Sequence, residues 1–167
     1  MGEVIIARVD DRLIHGQVMT EMSKASGANA IFVVDNSTAN DPFMKQIFLS
    51  SGTRTGLKIK IFSETQAITY WKEKQFENYN VILLAKTIQT FYKLAEAGIE
   101  INNLNIGNIG KLNHEENSKD VITTVSITKE ELVLLDKLRD QYNIKVYFQT
   151  IPSSSIVKLD EADKLFK

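Results

Sequence analysis

Two carboxylates, an arginine and a histidine fall within eight residues near the start of the chain, in the run Arg8-Val9-Asp10-Asp11-Arg12-Leu13-Ile14-His15-Gly16-Gln17-Val18. Each group has a use if the histidine takes up a phosphoryl group. An unperturbed imidazole has a pKa of about 6.5, so near neutral pH it is mainly an uncharged nucleophile. The phosphoryl group brings a charge of about −1.5 to −2 and three acceptor oxygens. Arg12 can meet those oxygens with a planar fork of donors that lysine cannot copy. Gly16 lets the backbone come close at a helix start, where free N–H groups favour an anion. Asp10 or Asp11 could hold the unreactive ring nitrogen or orient Arg12. The blander alternative is a turn with an N-cap and a surface ion pair, which contributes little to stability.

The elements that must position these groups are legible as an alternation. Apolar, β-branched runs recur at Val4–Val9, Ala30–Val34, Leu57–Phe62, Val81–Ala85, Leu104–Ile106, Val121–Val125 and Lys145–Phe148. Helix signals lie between most of them, which predicts a three-layer α/β/α sandwich with a mainly parallel sheet of six or seven strands. Asp41-Pro42 reads as an N-cap followed by proline at the first helical position. Ser63 to Gln66 and Thr128 to Glu131 have capping-box spacing, and Leu132, Leu135, Leu138 and Tyr142 mark one face of the helix that follows. Lysines alternate with apolar residues from Leu57 to Ile61, the pattern of an edge strand. The polar stretch from Gly107 to Asp120 reads as a long loop or hairpin. Residues 1–167 are expected to form one domain. In open α/β sheets ligands sit beyond the carboxyl ends of strands, and the Asp10–Gln17 loop follows strand one.

Composition narrows the chemistry further. Among 167 residues, 20 Lys and Arg face 21 Asp and Glu, a balance that argues against nucleic acid as a main partner. No apolar run approaches the roughly 20 residues needed to span a bilayer, and the N-terminus lacks signal-peptide features, so a cytoplasmic location is expected. The chain has no cysteine, which excludes disulfides and thiolate chemistry and leaves oxygen or imidazole nitrogen for any covalent step. Only His15 and His114 carry imidazoles. His114, in Leu112-Asn113-His114-Glu115-Glu116, reads as a solvated loop residue.

The run from Arg8 to Val18 resembles the active-site signature of the IIB subunits of the mannose/fructose/sorbose family of the bacterial phosphoenolpyruvate-dependent sugar phosphotransferase system. Length and strand–helix rhythm extend the resemblance over essentially the whole chain. It implies that His15 is a phosphohistidine intermediate, phosphorylated on Nδ1 by a phosphohistidine of a IIA domain. His15 would pass the group to a sugar held by membrane IIC and IID subunits, with this chain peripherally associated with that permease. Asp10 and Arg12 match positions that shape the loop and bind the phosphoryl group, with Asp11, Gly16 and Gln17 completing it. No cofactor or metal is called for. Two stretches depart from the family pattern. Asn105-Ile106-Gly107-Asn108-Ile109-Gly110 stands where many relatives resemble Asn-Val-Gly-Gly-Met, and Lys86-Thr87-Ile88-Gln89 lacks a proline often found there.

Other readings use other residues. The glycines from Asn105 to Gly110 lack dinucleotide or P-loop spacing and read as a turn after strand five that lines the rim of the site. Asp10, Asp11 and Asp35 at neighbouring strand ends could hold Mg²⁺, as in a receiver domain that phosphorylates an aspartate. That reading leaves Arg12, His15 and Gly16 without roles. A non-catalytic anion-binding module is the third reading. A relay that must meet two partners should carry exposed apolar residues at its rim, for which Leu13, Ile14 and Phe43 are candidates, each reading equally as core.

Overall fold

Both faces of the central strands are apolar, so the sheet needs cover on both sides. The computed structural model describes residues 1–112 and 115–167, with the side chains of 17, 18 and 25 left aside. Its main sheet contains, in chain order, β1 (Glu3–Asp10), β2 (Ala30–Val34), β3 (Lys58–Phe62), β4 (Asn80–Ala85), β5 (Asn103–Asn108), β8 (Lys145–Phe148) and β9 (Val157–Lys158). Their spatial order is β3-β2-β4-β1-β5-β8-β9, parallel except where β9 pairs antiparallel with β8. The expected three-layer sandwich is present, and β3 is an edge strand.

Alternate residues of β2 and β4 divide the core. Ile31, Val33, Ile82 and Leu84 meet Met19 and Met22 of α1 (Gly16–Ser26) and Phe48 of α3 (Pro42–Gly52) on one face. Phe32, Leu83 and their neighbours meet α4 (Glu64–Lys74), α5 (Ile88–Glu96), α6 (Lys129–Tyr142) and α7 (Leu159–Leu165) on the other. A short helix α2 (Asn36–Ala39) follows β2. The sequence signals mark real boundaries. Asp41 accepts from the amides of Phe43 and Met44 with Pro42 at the helix start, and Ser63/Gln66 and Thr128/Glu131 form reciprocal capping boxes.

Two expectations need correction, and one open choice is decided. Val121–Val125 is not one strand. It is the middle of an antiparallel hairpin of β6 (Lys119–Ile122) and β7 (Val125–Ile127), because a turn at 123–124 interrupts the apolar run. Gly107 and Asn108 are not in a turn after strand five either, since β5 continues through Asn108 and buries Gly107. Leu13 and Ile14 are buried against α1 and α3 rather than exposed at the rim, whereas Phe43 is 73% exposed. His114 lies outside the described residues. The hairpin, β9, α2 and α7 carry too few residues for periodicity to announce them.

The helices leaving β1 and β2 cover one face, while those leaving β3, β4 and β5 cover the other. The chain therefore switches direction beside β1, whose two neighbours are β4 and β5. A crevice at such a switch point is where ligands of open α/β sheets bind.

Candidate active site

β1 ends at Asp10, and the backbone turns at once, with the Leu13 amide donating to the Asp10 carbonyl at 3.0 Å. Leu13 sits in the left-handed region (φ 56°) although its side chain is fully buried. Burial of Leu13 and Ile14 offsets that backbone cost and pins the loop to the core. His15 is the N-cap of α1 but makes no side-chain capping bond, and no acidic residue occupies the first turn. The amides at the start of α1 are thus uncapped by side chains and free to meet an anion. Gly16 has φ 37°, a conformation that disfavours any side chain, although a Cβ there would meet no atom within 4 Å. Its glycine answers to backbone angle rather than to crowding.

Asp10 is the hub. Its carboxylate is 1% exposed and touches three cations or potential cations. Oδ2 accepts from Arg8 Nε and Nη2 at 3.2 and 3.1 Å, and lies 3.0 Å from His15 Nε2. Arg12 donates to both oxygens, Nε to Oδ1 at 3.1 Å and Nη2 to Oδ2 at 3.1 Å, and its amide donates to Oδ1 at 3.0 Å. Burial alone would raise the pKa of this carboxyl. Hydrogen bonds from His15 and Arg12 and the charge of Arg8 outweigh burial and hold it far below the usual carboxylate range. A permanently ionised Asp10 accepts the proton of Nε2, which selects the tautomer with a free lone pair on Nδ1.

Of the alternatives left open by the sequence, Asp10 and not Asp11 holds both the ring and Arg12. Asp11 stands outside this network. Its amide donates to the Asn108 carbonyl, and its buried Oδ1 has no hydrogen-bond partner. Burial and the Asp10 charge raise its pKa. The side chain of Gln17 lies outside the described residues. Asp35 is not assembled with Asp10 and Asp11. It caps α2 through the Thr38 amide and hydroxyl and faces Lys86 at 3.7 Å. No cluster of metal-ligating side chains occurs among the described residues.

Arg8 is the residue that sequence reasoning passed over. Its side chain is buried, burial lowers its pKa, and all its donors are used. Besides Asp10 it reaches Asn105 Oδ1 at 2.6 Å and the carbonyls of Gln149 and Thr150 at 3.2 and 2.7 Å. Gly107 makes this possible, because a Cβ there would stand 2.1 Å from Arg8 Cζ. The signal was available in a charged residue inside an otherwise apolar strand. Only pairing with β5 shows why it is tolerated.

The fold agrees with the comparisons. Residues 4–166 match the family described as "PTS system sorbose subfamily IIB component". The chain belongs to that family. It is 30% identical over 162 residues to the sorbose-specific EIIB component of Lacticaseibacillus casei, covering 95% of this chain and 96% of that one. The crystal structure of manxB from Thermoanaerobacter tengcongensis superposes with a TM-score of 0.90 at 35% identity, over 98% of this chain and 96% of the other. The mannose-specific EIIAB component of Escherichia coli is 27% identical over 133 residues, which are 80% of this chain and 40% of that longer protein. As a IIB component the chain is a phosphotransferase-system protein of sugar transport. No helix among its described residues is long and apolar enough to cross a membrane.

Proposed function

We propose that this IIB component is a phosphocarrier in which His15 accepts a phosphoryl group on Nδ1 from a phosphohistidine of a IIA domain. It then delivers the group to a sugar bound by membrane IIC and IID subunits. The observation that carries this reading is the 3.0 Å contact between His15 Nε2 and the Asp10 carboxylate, which commits one ring nitrogen and leaves the other as nucleophile. In the first transfer the donor's N–P bond breaks and its electron pair returns to the donor imidazole. The Nδ1 lone pair of His15 forms the new N–P bond. Nε2 keeps its proton, so the phosphorylated ring is cationic, and Asp10 beneath it stabilises that charge. In the second transfer a sugar hydroxyl oxygen forms the O–P bond as the Nδ1–P bond breaks and its electron pair returns to Nδ1. The hydroxyl proton leaves to solvent or a base of the acceptor site, and His15 is again the neutral ring.

Little covalent work falls to the protein, so positioning and charge should supply most of the rate. Arg12 and the uncapped amides of α1 flank the ring and would meet the phosphoryl oxygens. Asp10 takes part through the ring and Arg12, Asp11 through the loop backbone, and Gly16 and Gln17 as the first turn of α1. The IIA part of the mannose EIIAB relative supports a IIA domain as donor. A cytoplasmic position against the permease follows from the same reading.

The test is intact mass spectrometry after incubation with phosphoenolpyruvate, the general phosphocarrier proteins and a cognate IIA domain. One phosphoryl adduct, removed by brief acid, spared by alkali and absent in His15→Ala, is expected. An adduct lost in alkali would mean an aspartyl phosphate instead. No adduct from a demonstrably active donor would favour a non-catalytic anion-binding module.

A further inference from the structure

Beside His15 opens a cavity of about 300 Å³, on the α1–α3 side of the ring. His15, Gly16 and Thr20 form one wall, and Ser51, Arg54 and Thr55 form the other, from the end of α3 and the 3-10 turn Thr53–Thr55 that follows it. A water occupies about 30 Å³ in the liquid, so the space admits a phosphoryl group with several waters. No acidic side chain lines it, and Arg54 is its one permanent charge among the described residues. Arg54 itself has no carboxylate partner there. Arg8 and Arg12 are bonded to Asp10, and Lys86, which also acts on Asp11, faces Asp35.

The charges of the loop make this cavity significant. Arg8 and Arg12 both bond to Asp10, and the Asp11 carboxyl feels the charge of Arg12, so the site holds little net positive charge before transfer. A phosphoryl group adds about −1.5 to −2 charges, for which the loop offers only Arg12, whose Nε and Nη2 already donate to Asp10. We infer that the cavity is a phosphoryl-binding subsite in which Arg54, with the hydroxyls of Thr20 and Ser51, receives the oxygens of the group on or approaching His15. The inference rests on the proposed phosphocarrier reading and extends it to residues about 40 positions from the active-site loop. Thr55 contributes less, since its hydroxyl donates to the Gly52 carbonyl at 2.6 Å. An arginine fork suits the task because it offers paired donors to neighbouring phosphoryl oxygens.

The first test needs no phosphoryl donor. Inorganic phosphate is titrated into the full chain while the arginine side-chain Nε–H resonances are followed by NMR. The Arg54 resonance should move with phosphate, and Arg54→Gln should weaken phosphate binding at least fivefold. Phosphate that perturbs only Arg12 and the α1 amides, with affinity in Arg54→Gln unchanged within twofold, overturns the subsite. In the second test His15 is phosphorylated through the cognate IIA domain. Arg54→Gln should reach the same stoichiometry at least tenfold more slowly, with Arg54→Lys recovering part of the rate. An unchanged rate in Arg54→Gln also overturns it. Failure of the wild type to form any adduct would instead refute the phosphocarrier reading, while the phosphate titration still decides the subsite. Arg54 is exposed, so folding of its variants is expected to be intact. Thr20→Val, which removes one hydroxyl, provides an independent check with a smaller loss of phosphate affinity.

Discussion

A single methyl group at Gly107 should disturb the site from behind. An alanine Cβ there would lie 2.1 Å from Arg8 Cζ and 2.4 Å from both terminal guanidinium nitrogens. Unstrained carbon contacts sit at about 3.5–4.0 Å, so the overlap is roughly 1.5 Å. The guanidinium has nowhere to retreat, being buried and tied to Asp10, Asn105 and the carbonyls of Gln149 and Thr150. Overpacking of this kind costs about 1–3 kcal/mol. Each displaced hydrogen bond to a charged group adds about 1.5–3 kcal/mol. With one such bond lost, Gly107→Ala should cost about 2.5–6 kcal/mol, a large share of the roughly 5–15 kcal/mol that stabilises a typical domain. Urea unfolding followed by the fluorescence of Trp71, the only tryptophan, measures this directly. A double-mutant cycle with Arg8→Met isolates the cause, since a thinner and more flexible side chain should reduce the cost of the methyl to about 1 kcal/mol or less. If Gly107→Ala loses less than about 0.5 kcal/mol, or the same amount in both backgrounds, the close approach of Arg8 to this strand is not what requires glycine. The same variant should slow phosphoryl transfer, because Arg8 holds Asp10 and Asp10 holds His15.

Two other substitutions probe the charges. Asp10→Asn leaves Arg8 buried without its anion and should destabilise the protein by about 3–5 kcal/mol at neutral pH, as measured by denaturant unfolding. Because the fold depresses the Asp10 pKa, the stability due to its charge is fully present above the unfolded value of about 3.9 and is lost as pH falls through the folded one. The gap between wild type and Asp10→Asn should therefore narrow in acid, and a constant gap from pH 7 to pH 2 would contradict it. Asp136 carries the opposite sign. Burial, with a hydrogen bond to and the charge of Asp163, pushes its carboxyl up to about 6. Stability from this group should decline as pH rises from about 4 to about 6. Asp136→Asn should then gain about 1 kcal/mol at pH 7, a figure discounted because the side chain is 32% exposed. A Tm at pH 7 equal to or below that of the wild type would count against this.

The sequence by itself determined the strand–helix alternation, the edge position of β3, the capped starts of α3, α4 and α6, and the candidate loop that follows β1. These are local matters. Apolar runs, N-cap residues and glycine at a helix start act over a few residues and leave their mark in order along the chain. It also singled out Asp10, Arg12, His15 and Gly16, because strand one must end where Asp10 begins.

Tertiary structure decided the rest. Leu13 and Ile14 read equally as rim or core until the left-handed turn at Leu13 sends both side chains inward. That Asp10, rather than Asp11, meets the imidazole depends on which face of β1 each occupies as the strand ends. Gly107 reads as a turn and Asn105 has no role because nothing local shows a buried arginine 99 and 97 residues earlier that needs a gap and a ligand. Arg54, on the turn after α3, comes to face His15 only when α1 and α3 pack on the same face of the sheet. Sequence spacing encodes what one element does alone, whereas contacts between elements are set by pairing register and layer packing, which no short window contains.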